Sequence, residues 1–300
     1  MTEVTAFMAR TLSTPPFTPL LSALLLFSAS VSSADAPEKI QLIRQDKVSA
    51  HAIAYSPRMT PCRGRAVISP GAGGSEEGYR YLGEGLSSLG YLAVVVGHPE
   101  SGRRSLVEKI WGNGVRGGLL DGLVALTTDP SAYRGRLMDS AAASQWARAR
   151  CEASESLFVG HSMRAATVMM EAGAQNLLAV TGSDSFTAYI ALSPQGTGAI
   201  FPPSAWEGIK KPVLLVTGTR DIELGKKSWQ TRTEPFENMR PGCKWLGVVD
   251  GATHLNLAGR GFSRRVEASV LQVIGTFLNG IRSGSCSNAG RLSGVELRSK

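Results

Sequence analysis

The chain has 300 residues, of which 43% are hydrophobic and 19% are charged, enough apolar content for a globular core in one or two domains. The formal net charge is +8, but the basic residues form scattered doublets rather than a stripe interleaved with aromatics, which favours a basic surface and no nucleic-acid partner. The doublets are Arg103-Arg104, Lys210-Lys211, Lys226-Lys227 and Arg264-Arg265.

Residues 1–34 have the pattern of an export signal. An apolar run over 20–31 follows Arg10, and small residues suit cleavage after Ala34. A membrane span needs about 20 apolar residues, so this run is too short to be one. We expect a secreted or periplasmic protein with no stable membrane anchor. A signal that stays attached is the alternative, and Met8 is an alternative start.

Strands and helices alternate after the signal. An alternating segment is predicted over 40–55, and strands over 65–69, 91–99, 156–160, 186–194, 212–221 and 244–251. Helices are predicted over 78–89, 114–126, 141–150, 164–174 and 262–281. This order is typical of an α/β domain with a mostly parallel sheet flanked by helices. We expect one domain over 35–285 and a polar C-terminal tail over 286–300 that is loose apart from Cys286.

A candidate nucleophile lies between a predicted strand and a predicted helix. From Gly160 to Arg164 the chain reads Gly-His-Ser-Met-Arg, close to the Gly-x-Ser-x-Gly turn that presents a catalytic serine. A bare Gly-x-Ser match is common by chance, but the flanking strand and helix are the context that a nucleophile elbow requires. Ser162 is therefore the candidate, with Arg164 in the place of the second glycine.

A serine hydroxyl needs a base, and the base needs an orienting acid. In this kind of fold the acid and the histidine follow the serine in the chain, and His254 is the one histidine beyond Ser162. Asp221, at the end of a predicted strand, is the preferred acid. Asp250 and Glu223 are weaker candidates, because neither stands directly at a strand end facing the site.

A tetrahedral intermediate also needs hydrogen-bond donors for its oxyanion. The backbone N–H of Met163, directly after the serine, is one candidate donor. The backbone N–H of Ala72, in the segment Ser-Pro-Gly-Ala-Gly-Gly-Ser, is the other. The glycines of that segment lack the following Lys-Ser/Thr of a phosphate loop, so a phosphate site is disfavoured.

The four cysteines show no metal-binding spacing. No Cys-x-x-Cys pair or histidine cluster is present, so we expect no metal. In an oxidising compartment four cysteines allow three disulfide pairings.

The motifs together resemble the α/β-hydrolase superfamily, and within it the dienelactone-hydrolase-like bacterial esterases. The segments that carry the resemblance are SPGAGGSEEGYRYLGEGLSSLGYLAVVVGHP, VGHSM, TGTRD and DGATHLNLAG, in that order over residues 65–258. More distantly the chain resembles the secreted polyester hydrolases and cutinases. Where those enzymes carry two aromatic residues this chain has Ala72 and residues 196–198, so an aromatic clamp is not expected.

The resemblance implies an α/β-hydrolase fold without a large lid. It implies a Ser162–Asp221–His254 triad, and ester hydrolysis through an acyl-enzyme on a small-molecule substrate with no cofactor. It also places the strands after Cys62 and Cys151 side by side, which implies the disulfides Cys62–Cys151 and Cys243–Cys286.

Arg164 leaves the activity open at the sequence level. If the arginine extends outward, the elbow is intact. If it displaces the elbow, the chain is a catalytically impaired hydrolase-fold binding protein, and Arg164→Gly should raise kcat. Thioesterase and lactonase activities stay open, while a peptidase is disfavoured because no cap segment is visible. His161 and His98 are candidate pocket residues, although for His98 a structural, hydrogen-bonded role is preferred.

Overall fold

The computed structural model describes residues 36–72, 74–99, 119–222, 228–261, 263–286 and 290–300. The predicted signal over 1–34, Glu223 and the predicted first residue of the last helix, Phe262, lie outside the described residues.

A single sheet runs through the described residues. Its order is β1-β2-β4-β3-β5-β6-β7-β8-β9, with β3 to β8 parallel and β1, β2 and β9 antiparallel to their neighbours. The central strands are buried on both faces, which explains their continuous apolar runs. The strands are β1 Glu38–Ile43, β2 Ser49–Tyr55, β3 Gly64–Ser69, β4 Tyr91–Val96, β5 Glu155–His161, β6 Ala188–Leu192, β7 Val213–Arg220, β8 Lys244–Thr253 and β9 Val295–Ser299.

Helices cover both faces of the sheet. Helices α3 and α4 pack on one face, and α1 and α7 pack on the other, so each face has its own apolar cluster. The helices are α1 Arg80–Ser88, α2 Leu119–Thr127, α3 Pro130–Arg148, α4 Met163–Glu171, α5 Glu234–Asn238, α6 His254–Leu257 and α7 Arg264–Ser283, and a 3₁₀ helix spans Trp229–Thr233.

Helix α3 begins well before the predicted helix over 141–150. Asp129 caps it by accepting a hydrogen bond from the backbone N–H of Ser131, and Pro130 occupies the first turn. An Asp-Pro start is a recognised helix signal, and the prediction did not use it.

The C-terminal tail is not loose. Strand β9, Val295–Ser299, pairs antiparallel with β8, so the expectation of a loose tail is wrong. The strand alternates, with Val295 and Leu297 packed against the apolar cluster and Glu296 and Arg298 turned outward. Five alternating residues are a weak signal in sequence, and pairing with the sheet edge supplies the rest of the stabilisation.

Two disulfides join segments that adjoin the sheet. Cys62 pairs with Cys151 at a Cα–Cα distance of 6.0 Å, just ahead of the neighbouring strands β3 and β5. Cys243 pairs with Cys286 at 4.8 Å, linking the start of β8 to the end of α7. These are the pairs that the family resemblance implied. Of the described helices, none has the length and apolar character needed to span a membrane.

Candidate active site

Ser162 occupies a sharp turn between β5 and α4. Its φ of 58° and ψ of −128° put the residue in a conformation that few non-glycine residues adopt. Gly160 makes the turn possible, because a Cβ at that position would lie 2.3 Å from the carbonyl oxygen of Arg164. The turn has the strand, strained serine and helix of a nucleophile elbow.

Three predicted side chains meet at this turn. The Nε2 atom of His254 lies 3.0 Å from the Oγ of Ser162, and its Nδ1 lies 2.9 Å from Oδ1 of Asp221. Asp250 is elsewhere, where it accepts a hydrogen bond from the hydroxyl of Thr219 at 3.3 Å. The structure therefore places the preferred acid, Asp221, beside His254 and Ser162, and it places Asp250 elsewhere.

Asp221 is a buried carboxylate held by several donors. The hydroxyls of Ser193 and Thr217 donate to Oδ2 at 2.6 and 2.9 Å, and Nε of Arg232 lies 3.1 Å from Oδ1. Burial alone would raise the pKa of Asp221, but the hydrogen bond from His254 and the charge of Arg232 bring that pKa below its usual value. The acid is therefore kept ionised beside the imidazole.

Arg232 is a site residue that the sequence analysis missed. Its side chain is buried, and it donates to the carbonyl oxygens of Asp221 at 3.0 Å, Ser193 at 3.0 Å and Pro194 at 3.2 Å. It joins the loops after β6 and β7 and places a cation next to the carboxylate. An arginine in a short 3₁₀ helix has no motif, so only the folded structure identifies it.

His161 lines an open cavity next to Ser162 and His254, and it connects two loops of the site. Its Nδ1 accepts from the Tyr79 hydroxyl at 2.7 Å, and its Nε2–H donates to the carbonyl of His254 at 3.1 Å. The Tyr79 oxygen in turn accepts the backbone N–H of Gly71 at 2.9 Å. Burial lowers the pKa of His161, with the charges of His254 and Arg232 adding to the effect, and burial raises the pKa of Tyr79 to about 12. Both groups are therefore neutral hydrogen-bonding partners.

His98 is not a pocket residue. It is buried behind the site, outside the cavity wall, where Nε2 accepts from the Ser69 hydroxyl at 2.7 Å and Nδ1 donates to Asp139 at 2.7 Å. Burial lowers the pKa of His98 far below its usual value, and nearby arginines, Arg164 first among them, lower it further. Its side chain turns into the interior, which agrees with the structural role that the sequence favoured over a place at the rim.

Arg164 neither extends outward nor displaces the elbow. Its side chain is fully buried, and a guanidinium nitrogen, Nη1, donates to the carbonyl oxygen of Gly71. Burial lowers the pKa of Arg164, Arg136 lowers it further, and Asp139 acts in the opposite direction. The alternative of an outward arginine is therefore wrong: the side chain lies in the interior, where Arg136, Asp139 and Tyr133 of α3 act on its guanidinium electrostatically.

An open cavity of about 480 Å³ lies over Ser162 and His254. Three of its apolar side chains are about half exposed to solvent, at the rim: Val124, Ile222 and Leu255. Ala72 and residues 196–198 also line it, so the positions considered for an aromatic clamp hold small side chains. Within the described ranges, no group of three or more His, Cys, Asp or Glu side chains is placed to bind a metal ion.

Comparison with solved structures identifies the architecture. The chain matches a dienelactone hydrolase from Anabaena variabilis (TM-score 0.52, 16% identity) over 82% of this chain and 98% of that one. It matches an α/β serine hydrolase without a lid from Xanthomonas campestris (TM-score 0.51, 15% identity) over 83% of this chain and 94% of that one. It also matches a Pyrococcus furiosus esterase (TM-score 0.54, 15% identity) over 81% of this chain and 92% of that one. The chain has the α/β-hydrolase fold. No family model and no curated protein matches it.

The α/β-hydrolase fold explains why the three side chains converge. Ser162 follows β5, Asp221 follows β7 and His254 follows β8, so all three lie beyond the carboxyl ends of parallel strands. Met163 begins α4, where first-turn N–H groups have no intrahelical acceptor. Ala72 borders the same cavity as Ser162. With identities this low the likeness shows the fold, and the chemistry depends on these side chains.

Proposed function

We propose that this protein is a secreted or periplasmic serine esterase that cleaves small-molecule carboxylic esters through an acyl-enzyme. The observation that carries the proposal is the continuous contact from Ser162 Oγ to His254 Nε2 at 3.0 Å and from His254 Nδ1 to Asp221 at 2.9 Å, at the floor of an open cavity. These distances are within hydrogen-bond reach for proton transfer.

In the proposed first step, Nε2 of His254 takes the hydroxyl proton while Oγ of Ser162 attacks the ester carbonyl carbon. The electron pair of the carbonyl π bond moves to oxygen, and the N–H groups of Met163 and Ala72 stabilise that oxyanion. When the tetrahedral intermediate collapses, the imidazolium gives its proton to the departing alcohol. Asp221 stays ionised throughout and stabilises the imidazolium.

In the second step, water attacks the acyl-enzyme with His254 again acting as the base. The same oxyanion donors serve the second tetrahedral intermediate, and its collapse returns Ser162 as a hydroxyl and releases the acid. No cofactor is required for either half-reaction, and we propose that the enzyme uses none.

The cavity supports a substrate with an apolar group of small or moderate size. Its apolar rim can bury an acyl chain or an alcohol, which stabilises binding by about 25 cal/mol per Å² of apolar surface removed from water. The small side chains of Ala72 and residues 196–198 do not offer ring stacking to an aromatic polymer unit. We therefore favour short and medium aliphatic esters over polyesters.

Two features support export. The apolar run over 20–31 matches a signal peptide, and both cysteine pairs are within disulfide distance, a state that persists in oxidising compartments. Mass spectrometry of the protein purified from its native host tests this: the N-terminus should begin after Ala34. An intact N-terminus in the cytosolic fraction contradicts export.

Hydrolysis of an ester panel of graded acyl length, measured beside Ser162→Ala, tests the activity. We expect the wild type to hydrolyse several esters, with kcat lost in the variant and KM little changed. An active-site fluorophosphonate separates the alternative, a binding protein without turnover, which it would leave unlabelled. A wild type that is folded, inactive on the panel and unlabelled contradicts the proposal.

A further inference from the structure

Arg164 contacts the loop that carries a proposed oxyanion donor. Its Nη1 donates to the carbonyl oxygen of Gly71, and the backbone N–H of Gly74 donates to the same oxygen at 2.9 Å. A glycine at position 164, as the elbow motif has, would supply no such donor. The departure from the motif therefore creates a bond between the elbow helix and the loop after β3.

That carbonyl belongs to the same peptide unit as the N–H of Ala72. In a trans peptide the C=O and the N–H point in opposite directions. With the carbonyl of Gly71 turned toward Arg164 behind the elbow, the N–H of Ala72 is turned the other way. Ala72 and Ser162 border one cavity, so this orientation suits a donor to an oxyanion.

The loop after β3 needs such a constraint because its glycine-rich sequence allows many backbone conformations. Residues 70–75 read Pro-Gly-Ala-Gly-Gly-Ser, and a glycine before the peptide unit makes rotation of that unit sterically cheap. A rotated unit would direct the Gly71 carbonyl oxygen toward the developing negative charge. On the other side of Gly71, its N–H is held by Tyr79 at 2.9 Å, so the contacts from Arg164, Gly74 and Tyr79 together define the orientation of the loop.

We propose that Arg164 is a positioning residue that orients the Gly71–Ala72 peptide, and so sets the donor strength of the oxyanion hole. The proposal rests on the proposed esterase function, since it requires an oxyanion to form. It reverses the steric expectation for Arg164→Gly: removal of the arginine lowers kcat rather than raising it.

The test compares an oxygen ester with the matching thionoester, in which sulfur replaces the carbonyl oxygen. Sulfur is a weak acceptor, so the thionoester gains little from the N–H donors. Arg164→Met removes the donor while keeping an unbranched side chain. We expect kcat on the oxygen ester to fall about 10- to 100-fold with KM changed less than about threefold, and a smaller fall on the thionoester. The rate ratio between the two esters should therefore shrink.

Two further variants complete the series. Arg164→Lys retains a cationic donor group at the end of a long side chain and should recover part of the ratio. Arg136→Met removes a neighbouring buried arginine and should leave the ratio unchanged, whatever it does to the thermal midpoint. If Arg164→Met does not fold, Arg164→Gly decides the matter, with the same expected fall.

The failures are distinguishable. A wild type without ester hydrolysis and without fluorophosphonate labelling of Ser162 rejects the esterase function itself. An active wild type whose folded Arg164 variants keep or raise kcat on the oxygen ester rejects the positioning role. An equal loss on both esters also rejects it, because a displaced serine would slow both reactions alike.

Discussion

The substitution Asp221→Asn should have two effects that can be measured separately, one on catalysis and one on the stability of the fold. Oδ1 of Asp221 contacts His254 at 2.9 Å and Arg232 at 3.1 Å, while Oδ2 accepts from Ser193 and Thr217. An amide group retains the shape, but it loses the charge that stabilises the imidazolium and fixes its tautomer. We expect kcat/KM to fall about 10⁴-fold, which corresponds to about 5.4 kcal/mol of transition-state stabilisation.

The same change leaves the buried guanidinium of Arg232 without its carboxylate. Breaking a buried pair from one side costs about 3–5 kcal/mol. Arg232 still donates to three backbone carbonyl oxygens, so we place the expected loss in unfolding free energy near the lower end, about 3 kcal/mol. Urea unfolding measures this loss, and steady-state hydrolysis of a short-chain aryl ester measures the loss of activity.

Thr217→Val is the matched control. It removes one donor to Oδ2 with little change in shape and leaves the carboxylate beside His254. We expect a loss of about 1 kcal/mol in stability and a change in kcat/KM below about tenfold. The reasoning is refuted if folded Asp221→Asn retains kcat/KM within tenfold of the wild type, or if Thr217→Val is as damaging as the charge removal.

Three other predictions concern the elbow, a disulfide and acid stability. Gly160→Ala places a methyl group 2.3 Å from a backbone oxygen and should lower kcat at least about 10²-fold. The control Gly208→Ala, where the nearest atom to the new methyl group lies at 3.5 Å, should keep kcat within twofold. Equal effects of the two changes in the ester assay would contradict the steric argument. Replacing Cys62 and Cys151 together by alanine removes a cross-link between positions 89 residues apart, and it should lower the unfolding free energy by about 2–5 kcal/mol in urea titrations. An unchanged urea midpoint would show that the two cysteines are not bonded. Because folding lowers the pKa of Asp221, the unfolded chain binds more protons than the folded chain between the folded pKa and a pH of about 3.9. The stabilisation from this carboxylate is complete above that range and is lost as the pH falls through the folded pKa, so the wild type should lose more stability than Asp221→Asn in acid unfolding curves.

The central part of the fold is readable from sequence because its signals are local. Apolar runs such as the one in β4 indicate strands buried on both faces, and the strand–serine–helix order around Ser162 indicates an elbow. Chain order then leaves few candidates for the base and the acid. The hydrogen-bond distances from His254 to Ser162 and to Asp221 agree with the candidates that this order selects.

The remaining features depend on contacts between distant segments. The side chain of Arg164 could leave the turn in more than one direction, and only the packing of the folded interior decides which. Arg232 reaches the acid from a short 3₁₀ helix that carries no motif. The C-terminal strand, β9, is too short to be recognised before the edge of β8 is available to pair with it.

Trapping the acyl-enzyme tests the central claim most directly. The protein is mixed with p-nitrophenyl acetate, quenched in acid within the first turnovers and digested for mass spectrometry. We predict one acetyl group on the peptide that contains Ser162, with none in Ser162→Ala and far less in His254→Ala. An acetyl group found only on other residues, or the same labelling in all three proteins, would contradict the account.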